Sequence, residues 1–253
     1  MGLIDTHTHI VDDSYDKDRE EVLSRAEEAG VTGIWAVSEN RADAERAIEL
    51  SQKYPILKPL AGLHPDNPDL EAADEVYQFI HEHHPSLLGI GEVGLDYWKV
   101  KEDKALAIQR QIFVDFITLS KTYDLPLNVH SRSAGLATIE CLIENGATRV
   151  QMHAFDGKAS KALVGVEAGF YFSIPASIVR DRQKLKLVKR LPLSCLLVET
   201  DSPVLAPEQR QRNEPHQVNV AVDAIAEIKQ IAREAVLEAV FENTCALYNL
   251  HEK

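Results

Sequence analysis

Leu3-Ile4-Asp5-Thr6-His7-Thr8-His9 opens on two apolar residues and closes on two histidines one residue apart. Side chains two apart on a β-strand project from the same face, so a strand here aims His7 and His9 together at whatever lies beyond its end. That is a metal-ligand geometry. In isolation, His-x-His is more often an ordinary pair in a polar strand. What decides its meaning is whether the chain supplies further ligands at comparable places.

Working outward, the pattern of a short β-rich apolar run followed by a helical period repeats to the end of the chain. Strands are expected over 31–38, 57–63, 87–93, 126–130, 150–153, 170–174 and 194–200. Helices are expected over 16–30, 41–53, 69–84, 101–123, 134–145, 160–168, 182–190, 218–231 and 233–250. Eight β-α alternations without a linker, repeat or low-complexity insert imply one parallel sheet. Closure into a TIM (β/α)8 barrel, a single α/β domain over 1–253, is the economical solution. A doubly wound open sheet would normally carry a glycine-rich phosphate loop after an early strand, and the sequence has none.

Length and composition agree, since 253 residues with 45% hydrophobic content suffice for one large core. No apolar run reaches the ~20 residues that span a bilayer, and no signal-peptide pattern opens the chain. An intracellular protein, cytoplasmic or nuclear, monomeric and away from membranes, is expected. Met1-Gly2 with Thr6 matches a myristoylation pattern, but Gly2 runs directly into the strand carrying His7 and His9. Cys141, Cys195 and Cys245 are far apart and odd in number, so they read as small core residues and not as disulfides or a zinc site. A formal charge of −13 argues against a broadly basic nucleic-acid surface while leaving room for a local basic cleft.

In such a barrel the C-terminal ends of the strands converge on the face that holds active sites. Those ends read His7 and His9, His64, Glu92, His130, His153 and Asp201, which places five of the ten histidines there. His81, His83 and His84 close a helix before Pro85, where positive charge suits the helix C-terminus, and they read as solvated. Imidazoles mixed with carboxylates favour Zn, Mn, Fe or Co over an all-oxygen cage. His7, His9, His130 and His153 with two carboxylates exceed the needs of one tetrahedral ion, so two ions are expected, and Glu92 is placed to bridge them with its two oxygens.

His7-x-His9, Gly91-Glu92-Val93-Gly94-Leu95-Asp96, His130-Ser131-Arg132, His153-Ala154-Phe155-Asp156-Gly157, Glu199-Thr200-Asp201-Ser202-Pro203 and Arg212-Asn213-Glu214-Pro215 together resemble the successive signatures of TatD-type metal-dependent deoxyribonucleases. The resemblance runs through essentially the whole chain. It implies a barrel of the amidohydrolase superfamily that hydrolyses DNA, with 3′-to-5′ exonuclease and abasic-site endonuclease activities. It also implies that His7, His9, Glu92 and Asp201 hold one divalent ion (Zn, Mg, Mn or similar) and Glu92, His130 and His153 a second. His64, in Gly62-Leu63-His64-Pro65, would touch substrate phosphate or a third ion. The chain departs from the pattern at Ser133, Asp156 and Asp66, where an acidic residue, a serine and a second histidine are common. These departures bear on substrate preference and leave the ligands untouched.

Phosphodiester hydrolysis needs a water activated at neutral pH and charge stabilisation around phosphorus, which fits Asp201 as proton acceptor beside the ions and Glu92 as their bridge. Glu199 reads as support for a ligating histidine. Arg132, next to His130, is the best phosphate contact, with Arg212 after the last strand as another. Tyr97 and Trp98 could stack on a base or pack the barrel mouth. Lys184, Lys186 and Lys189, near Arg180, Arg182 and Arg190, read equally as phosphate contacts or as a solvated helix face. A hydrolase of a small phosphodiester, amide or lactone is the alternative, and a non-catalytic metal-binding scaffold the second.

Overall fold

In the computed structural model, which describes residues 2–250, the alternation closes as the sequence implies. Eight strands, β1 (Leu3–Thr8), β2 (Val31–Ala36), β3 (Leu57–Ala61), β4 (Gly89–Gly94), β5 (Leu127–His130), β6 (Val150–Met152), β7 (Tyr171–Pro175) and β8 (Leu196–Glu199), lie side by side in chain order, each parallel to the next. The ring is completed by a Thr8–Ser202 bridge, with Asp201 N donating to His7 O at 2.9 Å and His9 N to Ser202 O at 2.8 Å. Met1 of the lipidation pattern and His251 lie outside the described residues.

Helices α1 (Arg19–Glu28), α2 (Arg41–Lys53), α3 (Leu70–His83), α4 (Asp103–Tyr123), α5 (Gly135–Glu144), α6 (Ala159–Glu167), α7 (Arg182–Arg190), α8 (Val218–Lys229) and α9 (Arg233–Tyr248) surround it. Several begin where a side chain can take up a free N–H: Asn40 accepts from Asp43 N, Asp69 from Glu71 N and Asp181 from Gln183 N. α1 starts three residues later than its period suggests. Asp13–Tyr15 instead forms a 3-10 turn capped by Asp12, and the buried Tyr15 hydroxyl donates to Asn213 O.

The apolar core is mostly the annulus between strands and helices, with Phe79, Phe113, Phe116, Phe170 and Phe172 buried. The barrel interior differs along its axis. At its N-terminal end Ile4, Trp35, Leu60 and Leu197 pack with Leu247 and Tyr248 of α9. Above them lies a buried polar layer: Thr6 O accepts from Asn128 Nδ2 (2.9 Å) and Gln151 Nε2 (3.1 Å), and Tyr248 OH donates to Gln151 Oε1 at 2.8 Å. Satisfied networks of this kind fix side chains in place, here directly beneath the histidines. The three cysteines are free and buried. Among the described residues no helix is long and apolar enough to cross a membrane.

Candidate metal centre

His7, His9, Glu92, His130, His153 and Asp201 meet at the C-terminal mouth of the barrel. Glu92 stands at the middle, and its two oxygens face different partners. Oε2 lies 3.5 Å from His7 Nε2 and 3.3 Å from His9 Nε2; Oε1 lies 2.6 Å from His130 Nδ1, 3.7 Å from His153 Nε2 and 3.9 Å from His64 Nε2. Asp201 Oδ1 is 3.5 Å from His7 Nε2 and 3.4 Å from His9 Nε2, its Oδ2 3.7 Å from His153 Nε2.

These spacings test the fit of a cation. Zinc-type bonds of about 2.0–2.1 Å in a tetrahedron require donor atoms roughly 3.3–3.4 Å apart. Among His7 Nε2, His9 Nε2, Glu92 Oε2 and Asp201 Oδ1, five separations fall between 3.3 and 3.5 Å.

The outward nitrogen of each imidazole makes a second argument. His7 Nδ1 meets Asn128 Oδ1 at 2.8 Å, His153 Nδ1 meets Glu199 Oε2 at 3.0 Å, His130 Nε2 meets Asp96 Oδ2 at 3.0 Å and His64 Nδ1 meets Asp66 Oδ1 at 3.1 Å. His9 Nδ1 has Glu39 Oε1 at 3.6 Å. Each acceptor holds a proton on the outward nitrogen, so that the inward one is the nitrogen that can give up its proton and offer a lone pair to a cation.

Charge supports the same picture. Burial disfavours charge on Glu92, yet His7, His64 and His130 overcome it and hold its carboxyl well below the usual range. Asp201 is likewise held low against burial by His153, His9 and His7. In return, and again against burial, Glu92 and Asp201 raise His7 and His9, and Glu92 with Asp96 pushes His130 up to about 9. The carboxylates thus draw positive charge to this point, and a bound cation would supply it in place of the imidazole protons.

The backbone is shaped for this crowding. Asp201 sits in the left-handed region (φ 55°), uncommon for a side chain of its type, with its N–H tied to His7 O. Gly94 (φ 148°) must lack a Cβ, which would fall 2.1 Å from His130 O.

The other expected contacts divide. His64 reaches the site, turned in by Asp66, whose departure from the common histidine thereby acquires a role. Arg132 is exposed, without an ion pair among the described residues, and its guanidinium lies 3.8 Å from the Trp98 ring centre. Trp98 is 52% exposed, whereas Tyr97 is half-buried against the core, so of the two expected aromatics Trp98 presents the free ring and Tyr97 packs. Arg212 is engaged elsewhere: it donates to Asp18 and Glu214 and to Ser14 O, and lies over Tyr15, pinning the loop after β8 to that after β1. Ser133 and Asp156, two departures from the common pattern, bond to each other, Ser133 N donating to Asp156 Oδ2 at 2.7 Å. Lys184 is neither a phosphate contact nor solvated. Buried, it donates to Ala154 O (2.8 Å) and Phe155 O (2.7 Å), holding the loop after His153, and burial lowers its pKa.

Sequence reasoning missed Asn128, Asp96 and Glu39 as partners of the histidines. Asn128 was within reach, since it stands two residues before His130 and so on the same face of β5. Asp96 and Glu39 lie on loops, where no period signals direction.

The chain matches the family described as TatD related DNase over residues 4–249. It is similar to Deoxyribonuclease TATDN3 of Homo sapiens, 42% identical with 98% of this chain and 95% of that protein covered. It is also similar to the uncharacterized metal-dependent hydrolase YabD of Bacillus subtilis, 34% identical with 98% and 100% covered. Among solved structures, YjjV, the TatD homologue of Escherichia coli, superposes with a TM-score of 0.89 at 26% identity, covering 98% of both chains.

Proposed function

The chain belongs to the family of TatD related DNases, and on that premise we propose that it hydrolyses DNA phosphodiester bonds, as a 3′-to-5′ exonuclease, an abasic-site endonuclease or both, at a centre holding two divalent ions. The observation that carries this reading is the division of Glu92, Oε2 toward His7 and His9, Oε1 toward His130, His153 and His64. His7, His9, Glu92 Oε2 and Asp201 would hold one ion, and Glu92 Oε1, His130 and His153 the other. Bound there, such ions supply a water acidic enough to ionise near neutral pH and positive charge against the phosphate oxygens.

The remaining work falls to the side chains. Asp201, kept deprotonated by the surrounding imidazoles, accepts the proton of the attacking water. His64, on the open side of Glu92, touches the phosphate, and Arg132 takes a neighbouring one through its planar donors. Arg132 rests on Trp98, whose exposed ring offers a stacking surface to the adjacent base. Asn128, Glu199 and Asp96 hold the imidazoles in the tautomer the centre requires.

The test is incubation of the purified protein, with and without chelator, with single-stranded, duplex and abasic-site DNA beside a chromogenic phosphodiester and a lactone panel. Chelator-sensitive DNA cleavage that His153→Ala abolishes is the expected result. Turnover of small substrates alone would move the enzyme to another reaction of the same barrel, and no turnover at all would leave a metal-binding scaffold.

A further inference from the structure

The barrel mouth continues into a series of grooves on the outer wall. The first, of about 500 Å³, starts at Tyr97, Ser133 and Asp156 and runs between the starts of α5 and α6. A second, of about 430 Å³, shares Gly157 and Lys158 with it and reaches Arg182 and Lys186 at the start of α7. A third, of about 580 Å³, shares Lys186 and ends at Lys189 and Arg190. Six cations border this path: Lys158, Lys161, Arg182, Lys186, Lys189 and Arg190, all exposed.

What sets them apart is that six cations without a carboxylate partner lie together along one path. Elsewhere Arg25, Arg46, Arg110 and Arg233 are each paired with a carboxylate. Among the described residues, none of the six groove cations makes an ion pair, and α7 itself, Arg-Gln-Lys-Leu-Lys-Leu-Val-Lys-Arg, contains no acidic residue. Of the acidic groups near the path, Asp156 accepts from Ser133 N and Gln183 and Asp181 from the first N–H groups of α7, while Glu140, exposed, lines the first groove with Lys158 and Lys161, so that among the described residues six cations face one free carboxylate there. Unpaired cations gathered along one groove, on a chain of formal charge −13, make an electrostatic footprint for a polyanion.

We propose that this α5–α7 groove binds the single-stranded tract of the nucleic-acid substrate that extends away from the cleaved bond, its phosphates lying along the six cations. The proposal rests on the reading of the mouth as a site for DNA phosphodiesters, from which the groove departs. A single strand is the occupant because the cations follow one winding path around the starts of α5, α6 and α7 and along α7, a course that a flexible backbone can follow and a stiff duplex cannot. The contacts are to phosphate and carry no base preference.

Fluorescence anisotropy of end-labelled 4-mer and 16-mer deoxyoligonucleotides, with metal-free protein so that binding is read apart from cleavage, tests this. The 16-mer binds at least tenfold tighter than the 4-mer. Its affinity falls on the order of 10²-fold from 50 to 200 mM salt, as expected for about five neutralised single-strand phosphates. Lys186→Glu with Lys189→Glu brings the ratio of the two affinities toward one, a ratio that misfolding would not selectively change, and lowers the salt slope by about 1.4. Lys186→Gln with Lys189→Gln gives an intermediate loss. Lys53→Glu with Lys58→Glu, the same charge change remote from the groove, leaves the ratio intact.

A length ratio unaffected by the α7 variants overturns the proposal. So does a duplex that binds as tightly as the single strand, or a wild type that binds neither oligonucleotide. Cleavage of DNA with no length preference defeats the groove and spares the function. Length-dependent binding without cleavage does the reverse.

Discussion

The two sides of Glu92 are built differently. Toward β1 and β8, the donors of His7, His9, Asp201 and Glu92 Oε2 lie in a nest of nearly equal 3.3–3.5 Å separations. Toward β3, β5 and β6 the separations run from 2.6 Å for His130 to 3.9 Å for His64, whose side chains are 12% and 17% exposed. His7, His9 and Asp201 sit on adjoining strand ends tied by backbone bonds; His130 and His153 likewise end adjoining strands, with His153 N donating to Val129 O, while His64 follows β3, on the other side of β4. At 2.6 Å, His130 and Glu92 are at hydrogen-bond distance, closer than two ligands of one ion would stand, so a cation on that side would require it to open slightly. One half is preformed and one adaptable, and the adaptable half is the one facing solvent, His64 and Arg132.

The largest effect should come from the preformed half. Asp201→Asn removes the proton acceptor and one nest donor, and kcat on a DNA substrate should fall by about 10²- to 10⁴-fold; near-normal turnover with metal content unchanged would end its assignment as base. Next, Asn128→Ala and Asp96→Asn should each weaken one ion by about 10- to 100-fold, Asn128→Ala the tighter and Asp96→Asn the weaker. Competition with a graded chelator measures both, and equal effects of both variants on both ions would erase the distinction.

Protons sharpen the comparison further. Although burial opposes it, the nearby carboxylates raise His7, His9 and His130 in the metal-free protein, and a cation must displace those protons to bind. Affinity should therefore rise with pH, by up to about tenfold per unit for each proton displaced, and at the His130 half level off above about 9. Calorimetric titration with Mn²⁺ across that range checks the sign, and affinity that falls with rising pH contradicts it.

The smallest effect belongs to the rim. Trp98→Ala should raise KM for DNA at least about fivefold, in line with stacking worth roughly 1–3 kcal/mol, with little loss for a substrate whose adjacent site is abasic. The chain has only two tryptophans and Trp35 is buried, so quenching of the exposed Trp98 by bound oligonucleotide reports the contact directly. Unchanged fluorescence at saturation would remove Trp98 from the binding surface.

By itself the sequence determined the barrel and which side chains gather at its mouth. Short apolar β-rich runs alternating with helices leave little choice of architecture, and strand ends converge by topology, so His7, His9, His64, Glu92, His130, His153 and Asp201 could be gathered without coordinates. Their direction and company were decided by tertiary structure. Tyr97 and Trp98 are neighbours in the chain, yet only packing made one half-buried and the other exposed under Arg132. Arg212 was captured by Asp18 and Glu214, and Lys184 by two carbonyls of another loop, partners 194 and 30 residues away in the cases of Asp18 and Ala154. Periodicity reports which face a residue occupies on its own element. Which charge it meets there depends on loops brought together from opposite ends of the chain, and no local pattern encodes that meeting.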